Sequence, residues 1–395
     1  MMRSIIVLWI VLCATLGAPL AAQADALYTV KVLGGEGSGA YDVNASGQVV
    51  GQLYAGGIYT GFFYDGSTLT DLGKLGGTGS LAFRLNDSGT VVGSIYQDGG
   101  TQAISYAHGV ATLLPFTGAS VANGINASGV ITGAADFPNA EGFFDRHAYT
   151  YANGVVTDLG ALADSPRPYS FGNAINDAGH VAGTAVVGDF PNLPTNPFLY
   201  RDGVLQDLGN FGGIFGSGWA INNHDQVVGS AGREYVDDGI GNLYPVSAFL
   251  YSDGVLHDLG VLSPGGNSSA YDINDQGEVV GWTDTAQGAL AYLYSAGSMV
   301  LLNSLIDPAS GWSIENAVGI NEAHQIAGRA CREGLCYAVR LDLAAAVPEP
   351  GAVTMLCVGL LVLVLGRVAG RQAPMKNSRT RREPVHASAE RVRFV

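Results

Sequence analysis

The sequence predicts an all-β protein, a seven-bladed β-propeller with four strands in each blade. Three observations in the 395 residues support this prediction: a motif that returns seven times, a content of 57 glycines, and chain ends that each supply part of one repeat. Glycine this frequent disfavours a helical protein, because each Gly at an interior helix position costs about 1 kcal/mol. A hydrophobic content of 47% excludes a disordered acidic chain.

The first motif reads Ile/Val-Asn-x-x-Gly-x-Val-Val-Gly and first appears at residues 43–51. Its asparagines are Asn44, Asn86, Asn126, Asn176, Asn222, Asn274 and Asn321. Asn-x-x-Gly is typical of a tight turn in which the Asn side chain bonds its own backbone and the Gly adopts a positive φ. We therefore predict a strand pair, a and b, around each turn. Asp225 and His324 replace the Gly in the fifth and seventh copies.

A second motif follows each of the first six copies and is fullest at residues 248–260. Its Asp-Gly or Asn-Gly between apolar runs indicates a hairpin of two further strands, c and d. Four strands in a period of roughly 40–50 residues are typical of a propeller blade. A β-solenoid or a stacked hairpin array is the alternative architecture.

The chain ends favour a closed ring. Residues 28–34 form a d-type strand with no a, b or c before it, whereas residues 337–343 form a strand c with no d after it. The N-terminal strand would therefore complete and close the seventh blade. An open solenoid gives no reason for this complementarity.

Both termini carry targeting signals. Arg3, an apolar run and Ala22-Gln23-Ala24 predict a secretory signal peptide over residues 1–24, with an N-terminal membrane anchor as the alternative. The propeller would occupy 25–343, followed by a linker at 344–351, a transmembrane helix at 352–370 and a basic cytoplasmic tail at 371–395.

The C-terminal order of Pro348-Glu349-Pro350, an apolar span and the basic residues Arg367 and Arg371 resembles the PEP-CTERM sorting signal of Gram-negative bacteria. The resemblance implies secretion, transient anchoring in the inner membrane and recognition by an exosortase. It also implies delivery to the cell surface or the extracellular matrix. The chain departs from the pattern by continuing to Val395 beyond the basic cluster.

The repeats resemble extracellular HAF repeats, named for His-Ala-Phe before strand c. The corresponding positions here include His147-Ala148-Tyr149 and Ser247-Ala248-Phe249, so the His is mostly replaced. An Asp-Leu-Gly ending recurs at Asp71, Asp158, Asp207 and Asp258. The resemblance implies export and a repeat architecture but no established chemistry. Aspartates and asparagines repeated in every blade are expected to serve the scaffold.

Charge and cysteine content limit the partners. Residues 25–350 hold 10 Lys and Arg against 32 Asp and Glu, a net charge of −22, which argues against nucleic acid. Cys331 and Cys336 are the two cysteines of this exported part, and a close pair outside the cytoplasm predicts a disulfide. A zinc site would need further ligands nearby.

Successive turns of a blade alternate between its two ends. We call the end with the a–b and c–d turns the turn face, and the end with the b–c and d–a connections the long-loop face. Three b–c loops are long, at residues 134–146, 185–196 and 231–246. They place aromatic rings beside carboxylates, a pairing suited to sugars. The predicted binding residues are Asp136, Phe137, Asp189, Phe190, Glu234, Tyr235, Asp237 and Asp238.

These loops leave two interpretations open, binding or simple pinning of the loops onto the blades. No recognised catalytic motif is present, so we expect a non-catalytic protein that binds glycan or protein in the envelope or exopolysaccharide matrix. A secreted glycan hydrolase or lyase, or a matrix protein without a specific ligand, are the alternatives. We expect no cofactor. Ca²⁺ is the alternative, because carboxylates cluster in these loops, but no calcium-loop motif is present.

Overall fold

The computed structural model describes residues 27–162, 168–189, 193–234 and 245–344, and the backbone of 236–237 and 242–243. Seven separate four-stranded antiparallel sheets make up this part, which confirms the predicted propeller. No helix among these described residues is long and apolar enough to cross a membrane. The signal peptide, the sorting motif and the transmembrane segment predicted from the sequence lie outside the described residues.

The first strand, β1, covers Tyr28–Glu36. Blade 1 follows with β2 (Gly39–Val43), β3 (Val49–Ala55), β4 (Ile58–Tyr64) and β5 (Leu69–Gly73). Blade 2 has β6 (Gly79–Leu85), β7 (Val91–Gln97), β8 (Gly100–Ala107) and β9 (Val110–Leu113). Blade 3 has β10 (Ser120–Ile125), β11 (Ile131–Pro138), β12 (Phe144–Ala152) and β13 (Val155–Gly160). Blade 4 has β14 (Ser170–Ile175), β15 (Val181–Val186), β16 (Thr195–Arg201) and β17 (Val204–Asp207).

Blade 5 contains β18 (Gly212–Ile221) and β19 (Val227–Arg233), then the short loop hairpin β20 (Val236–Asp237) and β21 (Asn242–Leu243), then β22 (Val246–Ser252) and β23 (Val255–Gly260). Blade 6 has β24 (Ser268–Ile273), β25 (Val279–Thr285), β26 (Gly288–Ser295) and β27 (Ser298–Leu301). Two 3-10 turns, Leu302–Ser304 and Pro308–Ser310, lead to blade 7 with β28 (Ser313–Ile320), β29 (Ile326–Arg332) and β30 (Leu335–Leu343).

The chain ends close the ring as predicted. The seventh sheet has the order β1-β30-β29-β28, and β1 pairs antiparallel with β30 from Tyr28 opposite Leu343. The predicted disulfide is also present: Cys331 and Cys336 are cross-strand partners in β29 and β30 and are covalently joined. The bridge therefore fastens the two middle strands of the blade that holds both ends of the chain.

The core lies between neighbouring blades. One cluster joins Val92 and Ala103 of blade 2 to Ile131 and Tyr149 of blade 3, with Tyr149 fully buried. Burying each such large side chain contributes about 1.5–3 kcal/mol. Because every blade presents an apolar face to each neighbour, each is stabilised by its place in the ring.

The motif asparagines form a closed belt of hydrogen bonds. Each side-chain Oδ1 accepts from backbone N–H groups of its own turn, as the sequence predicts. Each Nδ2 also donates to the backbone oxygen of the corresponding Asn in the next blade, at 2.8–3.4 Å around all seven blades. The same residue thus shapes its turn and joins it to the next blade.

Every strand a contains a β-bulge three residues before the motif Asn. The ladder between strands a and b shifts register at this point in all seven blades. The Gly at the last position of the first motif lies opposite the bulge in every blade, where an added Cβ would collide with a strand-a carbonyl oxygen. This close approach leaves room only for glycine at position 51 and at its six equivalents, whatever their φ angles.

Candidate functional site

Two predicted binding residues help to build blade 3. The Asp136 carboxylate forms an ion pair with the Arg146 guanidinium at 2.7 Å. The ring of Phe137 contacts Phe116 edge-on and stacks on His147, with centroids 6.3 and 6.0 Å away. This geometry matches the pinning interpretation for the loop at 134–146, because both side chains face their own blade.

The other predicted loop residues lie at or beyond the edge of the described chain. The backbone oxygen of Asp189 accepts a hydrogen bond from Leu193 N–H at 3.2 Å, and Glu234 is exposed beside Gly212. Asp237 is the last residue of β20. Phe190, Tyr235 and Asp238 lie outside the described residues.

The repeated aspartates serve the scaffold, as predicted. The Oδ1 atom of Asp158 accepts from Gly160 N–H at 2.8 Å, and Asp207 and Asp258 do the same two residues before their glycines. His147 Nδ1 also contacts Asp158 at 2.9 Å, and this hydrogen bond raises the pKa of the imidazole. Asn196 takes the place of the His against Asp207 in blade 4.

The extra residue of each bulge defines one layer of the central channel. These seven residues are Tyr41, Phe83, Asn123, Asn173, Trp219, Tyr271 and Val318, and with Arg84 they line a cavity of about 290 Å³. Bulges next to binding sites commonly re-aim side chains in this way. The volume lies near the lower end of the roughly 300–1,000 Å³ typical of small-molecule sites. We call this space the mouth cavity.

Aromatic rings occupy two sides of the mouth cavity. Tyr41 stacks near Phe83 across blades 1 and 2, with ring centroids 6.2 Å apart. Trp219 meets Tyr271 across blades 5 and 6 at 6.4 Å, and Trp282 Nε1 donates to the Tyr271 hydroxyl at 3.0 Å. Burial raises the pKa of the Tyr41 phenol to about 12, so this hydroxyl stays protonated.

Two further cavities adjoin the mouth cavity. One of about 530 Å³ shares Tyr41 and Val318 with it and reaches Tyr54 and Tyr59, whose rings lie 4.8 Å apart. Another of about 500 Å³ shares Tyr271 and is also lined by Trp282, Glu315 and Arg329. Asn316 and Arg329 line both side cavities. The three spaces therefore adjoin one another across blades 6, 7 and 1, and we call them together the groove.

Two carboxylates lie deeper in the channel, beside the bulges. Leu85 N–H donates to Asp42 at 2.9 Å and Ile320 N–H donates to Asp272 at 2.8 Å, each from the next blade. Burial raises the pKa of Asp272 to about 7; the Arg84 guanidinium opposes this shift, and the Asp42 carboxylate adds to it. Burial also raises the pKa of Asp42.

The turn-face end of the channel has a different character. Its cavity of about 290 Å³ is lined by the motif asparagines and their neighbours, including Asp87, Asp177, Asp275 and Glu322. Each of these carboxylates accepts a backbone N–H from the preceding blade, at 2.6–2.9 Å. The acidic ring therefore helps to hold neighbouring blades together.

Among the described residues, one group approaches metal-ligand geometry: Glu315, Cys331 and Cys336. Both sulfurs belong to the disulfide, so neither supplies the thiolate that a zinc site needs. This group gives no support to a zinc site, and Ca²⁺ binding stays a prediction.

Sequence reasoning missed the groove. Its aromatic residues come from strand a, from strand b of blade 6 (Trp282) and from the strands that flank the short b–c turn of blade 1 (Tyr54 and Tyr59), whereas the prediction concentrated on long loops. One signal was present: the position three residues before the motif Asn varies from Tyr to Trp to Asn within a conserved frame. A position that varies among the repeats is a candidate for function once the structure shows where its side chain points.

No family model matches the chain, and neither does any curated protein. Among solved structures, the chain is similar to Trypanosoma rangeli sialidase, with a TM-score of 0.31 and 9% sequence identity. The match covers 80% of this chain and 55% of that one, so the chain spans about half of its length. The propeller assignment rests on the pairing of the strands in seven four-stranded sheets.

Proposed function

We propose that the protein is an exported, non-catalytic β-propeller that binds polysaccharide through the groove on its long-loop face. The observation that carries this proposal is the ring of bulge residues, which turns Tyr41, Phe83, Trp219 and Tyr271 toward one cavity. Aromatic rings offer flat apolar surfaces to the C–H faces of sugars, and Asn123, Asn173 and Arg84 offer hydrogen-bonding groups.

Binding to a glycan array tests this proposal. We expect the purified protein to retain at least one polysaccharide, and Trp219→Ala to weaken that binding at least tenfold. Trp312→Ala is the matched control, because Trp312 packs edge-on against Tyr337 and is not among the residues lining the groove. Absence of binding to every glycan, with and without Ca²⁺, would overturn the proposal.

Delivery to the cell surface is the second part of the proposal. A disulfide between Cys331 and Cys336 supports export, because such bonds persist in oxidising compartments. Changing Pro348-Glu349-Pro350 to alanines should leave the protein in the inner membrane, as fractionation with antibody detection would report. Normal release of that variant would contradict sorting by an exosortase.

A glycan-active enzyme is the second candidate, and the channel carboxylates favour it. The pKa of Asp272 is raised to about 7, the range in which a carboxylic acid serves as a general acid. Turnover of a bound glycan, lost in Asp272→Asn and retained in Asp98→Asn at the exposed blade-2 turn, would replace the non-catalytic proposal.

A further inference from the structure

We infer that the groove selects an anionic glycan, whose carboxylate or sulfate group binds between Arg84 and Arg329. This inference rests on the proposed polysaccharide function and names the chemical class of the ligand. It follows from two guanidinium groups that the fold brings to the aromatic groove from different blades.

Arg329 lies on the middle of β29, exposed, where it lines both side cavities. Among the described residues its guanidinium has neither a hydrogen bond nor an ion pair. Two other arginines of the propeller form ion pairs: Arg146 with Asp136, and Arg340 with Asp342, each within 2.8 Å. A guanidinium that lines two cavities and has no direct ion pair among the described residues is available to a ligand, although the Glu315 carboxylate lines one of these cavities as well.

Arg84 approaches the groove from blade 2 and lines the mouth cavity. Its Nη1 donates to the Tyr41 backbone oxygen at 2.8 Å, which fixes the side chain and leaves other N–H donors of the five on a guanidinium. Arg329 lines a side cavity together with the same tyrosine, and its charge opposes the rise in the Tyr41 pKa. Tyr41 therefore lines the mouth cavity with Arg84 and one side cavity with Arg329.

The chemistry of the guanidinium identifies the ligand. Its planar fork matches the two oxygens of a carboxylate or a sulfate, and such charge-assisted bonds are roughly twice as strong as neutral ones. The neighbouring aromatic rings would stack on the sugar that carries the anion. The net charge of −22 over residues 25–350 disfavours anions elsewhere on the body, so anion binding would be confined to this groove.

A paired glycan array tests the inference with the purified full chain. Each acidic polysaccharide is printed beside its neutral counterpart, a methyl ester for uronates and a desulfated form for sulfated galactans. We expect the acidic member to bind at least tenfold more tightly than its neutral partner. Comparison of the uronate and sulfate pairs identifies which anion is preferred.

Variants complete the test. Arg329→Gln should weaken acidic binding about tenfold and leave neutral binding unchanged, with an unaltered melting temperature. Arg332→Gln is the matched control, three residues along the same strand, where the guanidinium lies over the Trp312 ring at 4.5 Å. Equal binding of acidic and neutral partners would overturn the anionic inference and leave the glycan proposal standing. Absence of all binding would overturn both.

Discussion

The side-chain amide of Asn321 donates a hydrogen bond to the backbone oxygen of Asn44 at 2.8 Å, across 277 residues of chain. This bond is the last of the seven that form the asparagine belt, and it joins the seventh blade to the first. The Oδ1 atom of Asn321 also accepts a hydrogen bond from Gln325 N–H at 2.9 Å within the local turn. One side chain therefore stabilises both a turn and the ring.

Asn321→Ala should lower the free energy of unfolding by about 1–3 kcal/mol, because the N–H groups of Ala323 and Gln325 and the Asn44 oxygen each lose a hydrogen bond with the Asn321 side chain. Asn321→Asp is the matched variant, since it keeps the Oδ1 acceptor and loses the Nδ2 donor. We expect a smaller loss from Asp than from Ala in urea unfolding. An unchanged stability in Asn321→Asp would mean that the belt bond contributes nothing, and equal losses in the two variants would mean that the Oδ1 acceptor contributes nothing to the turn.

Removal of residues 28–34 should open the ring. This deletion takes most of β1 from its antiparallel pairing with β30 and exposes the apolar cluster around Ile314 and Leu341. We expect a clearly lower melting temperature in calorimetry. Adding the missing strand back as a synthetic peptide should restore part of the loss, and an unchanged melting temperature would contradict closure by the N-terminal strand.

The Asp272 carboxyl should make stability depend on pH. Its pKa rises from 3.8 in the unfolded chain to about 7 in the folded one, so the folded state binds the extra proton between these values. Its contribution therefore destabilises the fold as pH rises from about 4 through 7. We expect Asp272→Asn to become more stable relative to the wild type as the pH increases.

Urea unfolding of both proteins at pH 5, 6, 7 and 8 would measure this difference. Asp98→Asn at an exposed turn is the control, and it should follow the wild-type profile. A constant difference between Asp272→Asn and the wild type across this range would contradict a raised pKa in the channel.

Reduction of the disulfide should destabilise the seventh blade. Cys331 and Cys336 are five residues apart, and closing so short a loop contributes about 2 kcal/mol in the chain-entropy description. Cys331→Ser with Cys336→Ser should show the same loss without reductant. A reductant that lowers the stability of the double variant as well would indicate an effect unrelated to this bridge.

Much of the fold could be predicted because its signals are local and repeated. Asn-x-x-Gly and Asp-Gly turns specify their own geometry, and Asn153-Gly154 and Asp253-Gly254 adopt the positive φ angles that such hairpins need. The two substituted glycines of the first motif, Asp225 and His324, also take positive φ, and each gains a partner in the preceding blade, His180 and Glu278. The N-terminal strand lacked the other three strands of a blade, and the seventh blade was the one repeat that lacked a strand d.

The residues of the candidate site could not be predicted from local sequence patterns. Phe137 and Asp136 suggested a binding loop, yet Phe116, His147 and Arg146 provide partners within the blade. Arg84 and Arg329, by contrast, are 245 positions apart, and only the ring brings each of them to a cavity that Tyr41 also lines. Their convergence depends on two long-range facts, the placement of the blades and the direction of each bulge.

The sequence by itself determined the repeat, the number of blades, the closing strand and the disulfide, because turn chemistry and strand periodicity act over a few residues. The tertiary structure alone decided which side chains share a cavity. A bulge shifts one residue of strand a into the channel, and only ring closure brings the seven shifted residues, Tyr41 through Val318, around one space.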